Sequence, residues 1–234
     1  MVTKFDREKV EQQLVYISIS LGTIFACMIY TNGGKNWSIL GKLESLILPI
    51  VFVGLLVKVC MTKYYSRKEK DLLTQQKAKR KSVYLPPREI VGGLILQLVC
   101  CLLYAFICII LGAPVLQNYE ETFVLALLLT ITTVSPAVLI LGGSGALQLC
   151  FCEKVEYYSK SDEISLNIHK YELMGTLFGA WAASVVSPLD WDRDWQAYPI
   201  PNVIGALLGN AIGNLIVWTK VLFSTAKVFF KKTK

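Results

Sequence analysis

A single histidine, His169, and three alternating aspartates, Asp190, Asp192 and Asp194, are the residues of this 234-residue chain whose types first suggest chemistry. A hydrolase or phosphotransferase needs a nucleophile with a base, or a metal held by histidines and carboxylates. One histidine excludes a two-histidine phosphatase site. His169 itself is expected in a solvated loop or at a helix entry, just ahead of an apolar run. The aspartates are similar to the start of a calcium loop, yet the glycine and distal glutamate that complete an EF-hand are missing. Cys150 and Cys152 have no neighbouring histidine or cysteine ligands and read as small membrane residues. The chain is therefore assigned no catalytic residue, no metal site and no cofactor.

The elements that would carry these residues are membrane helices. The chain is 54% hydrophobic and only 18% charged, with a mean hydropathy of +0.49, outside the usual range of soluble domains. Crossing a ~30 Å hydrocarbon layer takes about 20 mostly apolar residues as a helix. Six such runs occur, at residues 13–30, 43–61, 90–112, 122–147, 171–188 and 200–222. The expected fold is an all-α polytopic membrane bundle of about six helices forming one membrane domain over residues 1–234. The first run continues through Cys27, Met28 and Tyr30 without a small-residue cleavage site, so it is expected to stay as a span rather than to be removed as a leader.

Charge sets the expected orientation. Lysine and arginine accumulate on the cytoplasmic side of membrane proteins. Here 21 of the 24 fall on one face, many of them in the basic loop 63–89 and the tail 223–234, while Lys35, Lys42 and Arg193 fall on the other. Both termini are thus expected in the cytosol. Topology explains the net charge of +7 without nucleic acid, although anionic lipid headgroups also attract such a loop. Lys231 and Lys232 match a dilysine retrieval signal for the endoplasmic reticulum membrane; a plain basic anchor after a last span gives the same pattern. No cysteine falls in an expected lumenal loop, so no disulfide framework is expected.

No ionisable residue is expected in mid-span, which weighs against an ion-coupled transporter. Small residues recur instead. Gly175, Gly179 and Ala183 in the fifth run, and Gly205, Gly209 and Gly213 in the sixth, are spaced by four. Such stripes let helix backbones approach closely, so the two runs are expected to pack as a tight hairpin. Asn210 and Asn214 share one face of the sixth run and suit hydrogen bonding between helices. In the fourth run, Pro136 and the Gly142-Gly143-Ser144-Gly145 segment predict a kink and a loosened end.

The lumenal loop 188–199 joins that hairpin. Trp191, Trp195 and Tyr198 fit an interfacial aromatic belt, and Arg193 among three aspartates suits a bidentate ion pair. The stretch GTLFGAWAASVVSPLDWDRDWQAYPIPNVIGALLGNAIG, from Gly175 to Gly213, resembles the phosphatidylinositol-glycan biosynthesis class F proteins of the GPI-anchor pathway. The shared pattern is a Gly-Ala-Trp span, a Pro-Leu-Asp-Trp-Asp-Arg-x-Trp-Gln loop, a Pro-Ile pair and a glycine-rich span. Asp194 stands where the family often has proline, and Tyr198 where tryptophan is common.

The resemblance implies a non-catalytic subunit of the endoplasmic reticulum membrane. Its partners would be the large GPI ethanolamine phosphate transferase catalytic subunits, with membrane lipids and the GPI precursor nearby. Phosphatidylethanolamine would be the donor to the GPI mannoses, and any metal would belong to the catalytic partner. Asp190, Trp191, Asp192, Arg193, Trp195 and Gln196 are the expected contact residues. The alternative is a stand-alone lipid-binding or lipid-scrambling membrane protein.

Overall fold

The computed structural model describes residues 4–33, 42, 44–74, 86–114, 119–150, 160–186 and 196–230. The described residues form helices and short turns: α1 (Lys4–Gly33), α2 (Ile47–Thr74), α3 (Pro87–Ile110), α4 (Tyr119–Thr133), α5 (Ser135–Cys150), α6 (Lys160–Ala183) with a 3-10 turn at Ser184–Val186, and α7 (Ile200–Phe230). An all-helical fold is what long uncharged runs dictate, because a helix satisfies its peptide groups within a single segment without water.

Among the described residues, four helices are long and apolar enough to cross a membrane: α1 over Glu8–Tyr30, α2 over Ile47–Glu69, α3, and α7 over Ile200–Phe223. A fifth candidate is α4 and α5 taken together, bent by 70°. The fifth expected span, 171–188, falls in α6, which is a 24-residue helix but does not reach the same apolarity. Six acidic or basic side chains lie in its first thirteen residues: Lys160, Asp162, Glu163, His169, Lys170 and Glu172.

Local sequence explains the boundaries. Pro87 opens α3 where a missing N–H costs nothing, and Glu89 sits in its first turn. The helix closes at Gly112, whose φ of 103° only glycine adopts freely. There the Gly112 N–H donates to Ile109 and the Ala113 N–H to Cys108, capping the last carbonyls. The expected kink in the fourth run is present. Pro136 has no N–H to give the Thr132 carbonyl four residues back, and the chain bends between Thr133 and Ser135. A second break follows at Gly142, with φ 85°. Glu89 accepts from both the N–H and the hydroxyl of Ser144, at 2.9 Å each, and so caps the resumed helix from α3.

The main apolar core gathers Ile24 and Cys27 of α1, Val51 of α2, Leu125 and Leu128 of α4, Ala180 of α6 and Val203 and Leu207 of α7. A second cluster joins α3, α5 and α6 around Leu96, Val138, Leu141 and Leu166. Lipid-sized apolar surface remains outside: Leu94, Leu98, Leu102 and Phe106 on α3 are each more than half exposed. The free cysteines Cys27, Cys60, Cys100, Cys101 and Cys108 all lie in helices, none of them in a disulfide.

Candidate functional site

The hairpin of α6 and α7 is the most intimate contact of the bundle. A Cβ added at Gly175 would collide with the Gly209 carbonyl, one at Gly179 with the Gly205 carbonyl, and one at Gly213 with the carbonyl of Tyr171. Ala183 closes the series with its methyl against Gly205. Backbone touches backbone along the whole stripe. Polar side chains then bridge the two helices: Asn202 Nδ2 donates to the Ala180 carbonyl at 3.1 Å, and Asn210 Nδ2 to Thr176 Oγ1 at 3.0 Å. Asn214, fully buried, donates to both the carbonyl and the side-chain oxygen of Asn210.

Beside this hairpin lies a charged cluster that the span limits concealed. Buried Glu172 of α6 and half-buried Lys58 of α2 form an ion pair, with Nζ 2.9 and 3.0 Å from the two carboxylate oxygens. The Ser20 hydroxyl of α1 donates to the same carboxylate at 2.5 Å. His169, one helical turn back, brings Nδ1 to 3.3 Å from Glu172 and Nε2 to 2.8 Å from the Thr133 carbonyl, at the bend of α4. A carbonyl only accepts, so Nε2 carries the hydrogen. The Lys58 ammonium also lies 4.9 Å from the centre of the Tyr16 ring. Helices α1, α2 and α6 and, through His169, the bend of α4 thus converge on one carboxylate.

His169 is therefore not a solvated loop residue. It is 1% exposed, as is Glu172, and its burial follows from the polar inward face of α6, where Ser161, Ser165, His169, Glu172 and Thr176 recur at three- and four-residue steps. Nor are the apolar runs free of interior charge. Drawing the second span at 43–61 put Lys58 at its edge, whereas the apolar stretch of α2 runs over Ile47–Glu69 and places Lys58 near its middle. The polar inward face was the available signal. Farther along it, Gln12 Nε2 of α1 donates to the Ser161 carbonyl and to Ser165 Oγ, and Thr62 of α2 bonds Ser165 at 3.0 Å.

At the other end of the hairpin, Gln196 is buried and Tyr198 is half-buried, its hydroxyl donating to Thr122 of α4 at 3.1 Å. Burial pushes the Tyr198 phenol up to about 12, so it remains a donor at neutral pH. Of the six expected contact residues, Gln196 alone is described; Asp190, Trp191, Asp192, Arg193 and Trp195 lie outside the described residues, as do Lys231 and Lys232. Among the described residues no three of His, Cys, Asp and Glu are grouped to hold a metal ion.

The family model for the GPI biosynthesis protein family Pig-F matches residues 13–218, from α1 through the hairpin. The chain belongs to that family. It is similar to the Homo sapiens protein named GPI ethanolamine phosphate transferase, stabilizing subunit, at 30% identity over 51% of this chain and 52% of that one. It is also similar to glycosylphosphatidylinositol anchor biosynthesis protein 11 of Debaryomyces hansenii, at 27% over 64% of this chain and 61% of the relative. A third relative is the PIGF/3-ketodihydrosphingosine reductase fusion protein of Schizosaccharomyces pombe, 31% identical over 56% of this chain and 26% of the fusion. The chain thus spans less than two thirds of the length of these relatives. No solved structure matches it. As a Pig-F family member with several membrane-length apolar helices, the chain is a membrane protein.

Proposed function

We propose that this Pig-F family chain is a non-catalytic subunit of the endoplasmic reticulum membrane that stabilises and positions a GPI ethanolamine phosphate transferase. The observation that carries this reading is the family match through the glycine-packed hairpin, together with a relative named as the stabilizing subunit of that transferase. A hairpin whose backbones interlock suits a rigid scaffold better than a moving gate.

In this reading both termini are cytosolic, Lys231 and Lys232 serve retrieval, and the segment from Asp190 to Gln196 faces the lumen. The catalytic partner supplies the metal and transfers phosphoethanolamine from phosphatidylethanolamine to mannoses of the GPI precursor. Asp190, Trp191, Asp192, Arg193, Trp195 and Gln196 contact the partner or its lipid substrate.

The test is purification of a tagged full-length chain in mild detergent, with mass spectrometry of stoichiometric partners and an Arg193→Ala control. Recovery of a large phosphotransferase subunit, lost in the control, is the expected result. A chain that purifies alone and folded would overturn the subunit reading and favour the lipid-handling alternative, which scrambling by the reconstituted chain would then establish.

A further inference from the structure

The Lys58–Glu172 pair stands about halfway along the membrane-length stretch of α2, Ile47–Glu69. Charge at that depth is costly unless something solvates it. Glu172 is well supplied, since Lys58, Ser20 and His169 all meet its carboxylate. Lys58 is not. An ammonium carries three N–H donors, of which two reach Glu172; beyond those, the described residues offer it only the face of the Tyr16 ring, 4.9 Å from Nζ. The Lys58 side chain also lines a cleft of about 40 Å³ at the bend of α4. Ser20 and Thr23 of α1, Thr132 of α4, Pro136 of α5 and Asn210 of α7 line it too.

The chemistry of that lining selects its occupant. Its hydroxyls have each spent their single proton: Ser20 on Glu172, Thr23 on the Ile19 carbonyl and Thr132 on the Leu128 carbonyl. They have only lone pairs left to offer. Pro136 leaves the Thr132 carbonyl without its helical donor, which adds a fourth acceptor. Against these stand two donors, the third N–H of Lys58 and the second amide N–H of Asn210, whose first goes to Thr176. An anion would meet four acceptors, a cation would meet Lys58, and an apolar group would leave both donors unmet. Water, which donates and accepts, suits all six. At roughly 10–15 Å³ each, about three waters fill the space. One turn farther along α1 and α7, Tyr16 Oη and Asn214 Oδ1 are buried without a hydrogen-bond partner among the described residues, as polar groups served by internal water are.

We propose that the cleft at the α4 bend is a water site inside the membrane bundle, holding a cluster of about three waters that solvates the Lys58 ammonium. The broken fourth run then has a use: its bend supplies the carbonyl and the hydroxyl of Thr132 to that cluster, where an unbroken helix would keep the carbonyl for itself. A wet cleft differs from a dry one in how it answers to filling. Apolar volume added to a dry void stabilises, whereas the same volume in a wet one strips water from a charge.

The experiment is water-edited solid-state NMR of the full chain in proteoliposomes, with threonine-selective labels assigned by loss of each signal in its Thr→Val variant. Magnetisation from water is expected to reach Thr132 several-fold faster than Thr130, which is buried on the same helix and does not line the cleft. Equal transfer to the two overturns the proposal. The second arm fills the cleft with Thr132→Ile. In the parent a Tm lower by about 2–4 °C is expected, and in the neutral background Lys58→Met with Glu172→Gln no loss or a gain. A raised Tm in the parent means a dry void and overturns the proposal. Equal losses in both backgrounds mean overpacking and overturn it as well. Should the neutral background fail to fold, the NMR comparison decides alone. Neither arm needs a transferase, so the outcome is independent of the subunit reading.

Discussion

Helix α3 and helix α6 reverse the usual relation between apolarity and burial. Over its most apolar 18-residue stretch, α3 is only 11% buried, while the corresponding stretch of α7, packed against the polar α6, is 56% buried. In water, burial follows apolarity because the solvent drives it. In lipid, which is as apolar as leucine, helices associate where small residues admit close packing and polar groups find partners. α3 leaves most of its surface outside the bundle, whereas α6 packs against α1, α2, α4, α5 and α7. The difference shows that hydropathy reports which helices meet lipid, not which helices hold the bundle together.

The sharpest way to break that comparison is Gly209→Leu. A side chain there meets the Gly175 carbonyl, which cannot move without parting the helices, so a loss of about 4 kcal/mol or more is expected, read as failure to recover monodisperse protein. Gly143→Val is next. Its new carbons meet the backbone of Gly92 and Gly93, with a Cβ at 2.6 Å, and about 2–3 kcal/mol is expected from thermal unfolding in detergent. Glu89→Gln weakens the cap on Ser144 and should cost about 1 kcal/mol, with increased hydrogen exchange in the second half of α5. Asn210→Ala removes one interhelical hydrogen bond to Thr176 and should cost about 0.6–1.7 kcal/mol. Smallest of all, Leu98→Ala on the outer face of α3, 62% exposed, should shift stability by less than about 0.5 kcal/mol. A large effect at Leu98 would mean that α3 is covered by protein rather than by lipid.

Much of the hairpin was legible in the sequence, because spacing by four is a one-dimensional pattern that survives folding unchanged. Gly175, Gly179, Ala183, Gly205, Gly209 and Gly213 are brought together along one seam. The kink at Pro136 was legible for the same reason, since a missing N–H is a local fact. The ion pair was not. Lys58 and Glu172 lie 114 positions apart, and each stood near the edge of a run defined by apolarity, where a charge excites no notice. His169 was set in solvent because it precedes an apolar run, although the partner that buries it, the Thr133 carbonyl, exists only because α4 bends there. The polar rhythm Ser161, Ser165, His169, Glu172, Thr176 was visible but is the inverse of the pattern that marks a soluble helix.

The backbone interlock between α6 and α7 also imposes an order in time. During synthesis α6 emerges first, and the glycine carbonyls that receive it belong to a helix not yet made. At ~5–20 residues per second, the stretch from Ala183 to Phe230 takes a few seconds to appear. For that interval a helix carrying Glu172 and His169 has Lys58 and Ser20 to recognise but no surface to close over it. The wait for α7 is thus a step at which this chain stands open to quality control.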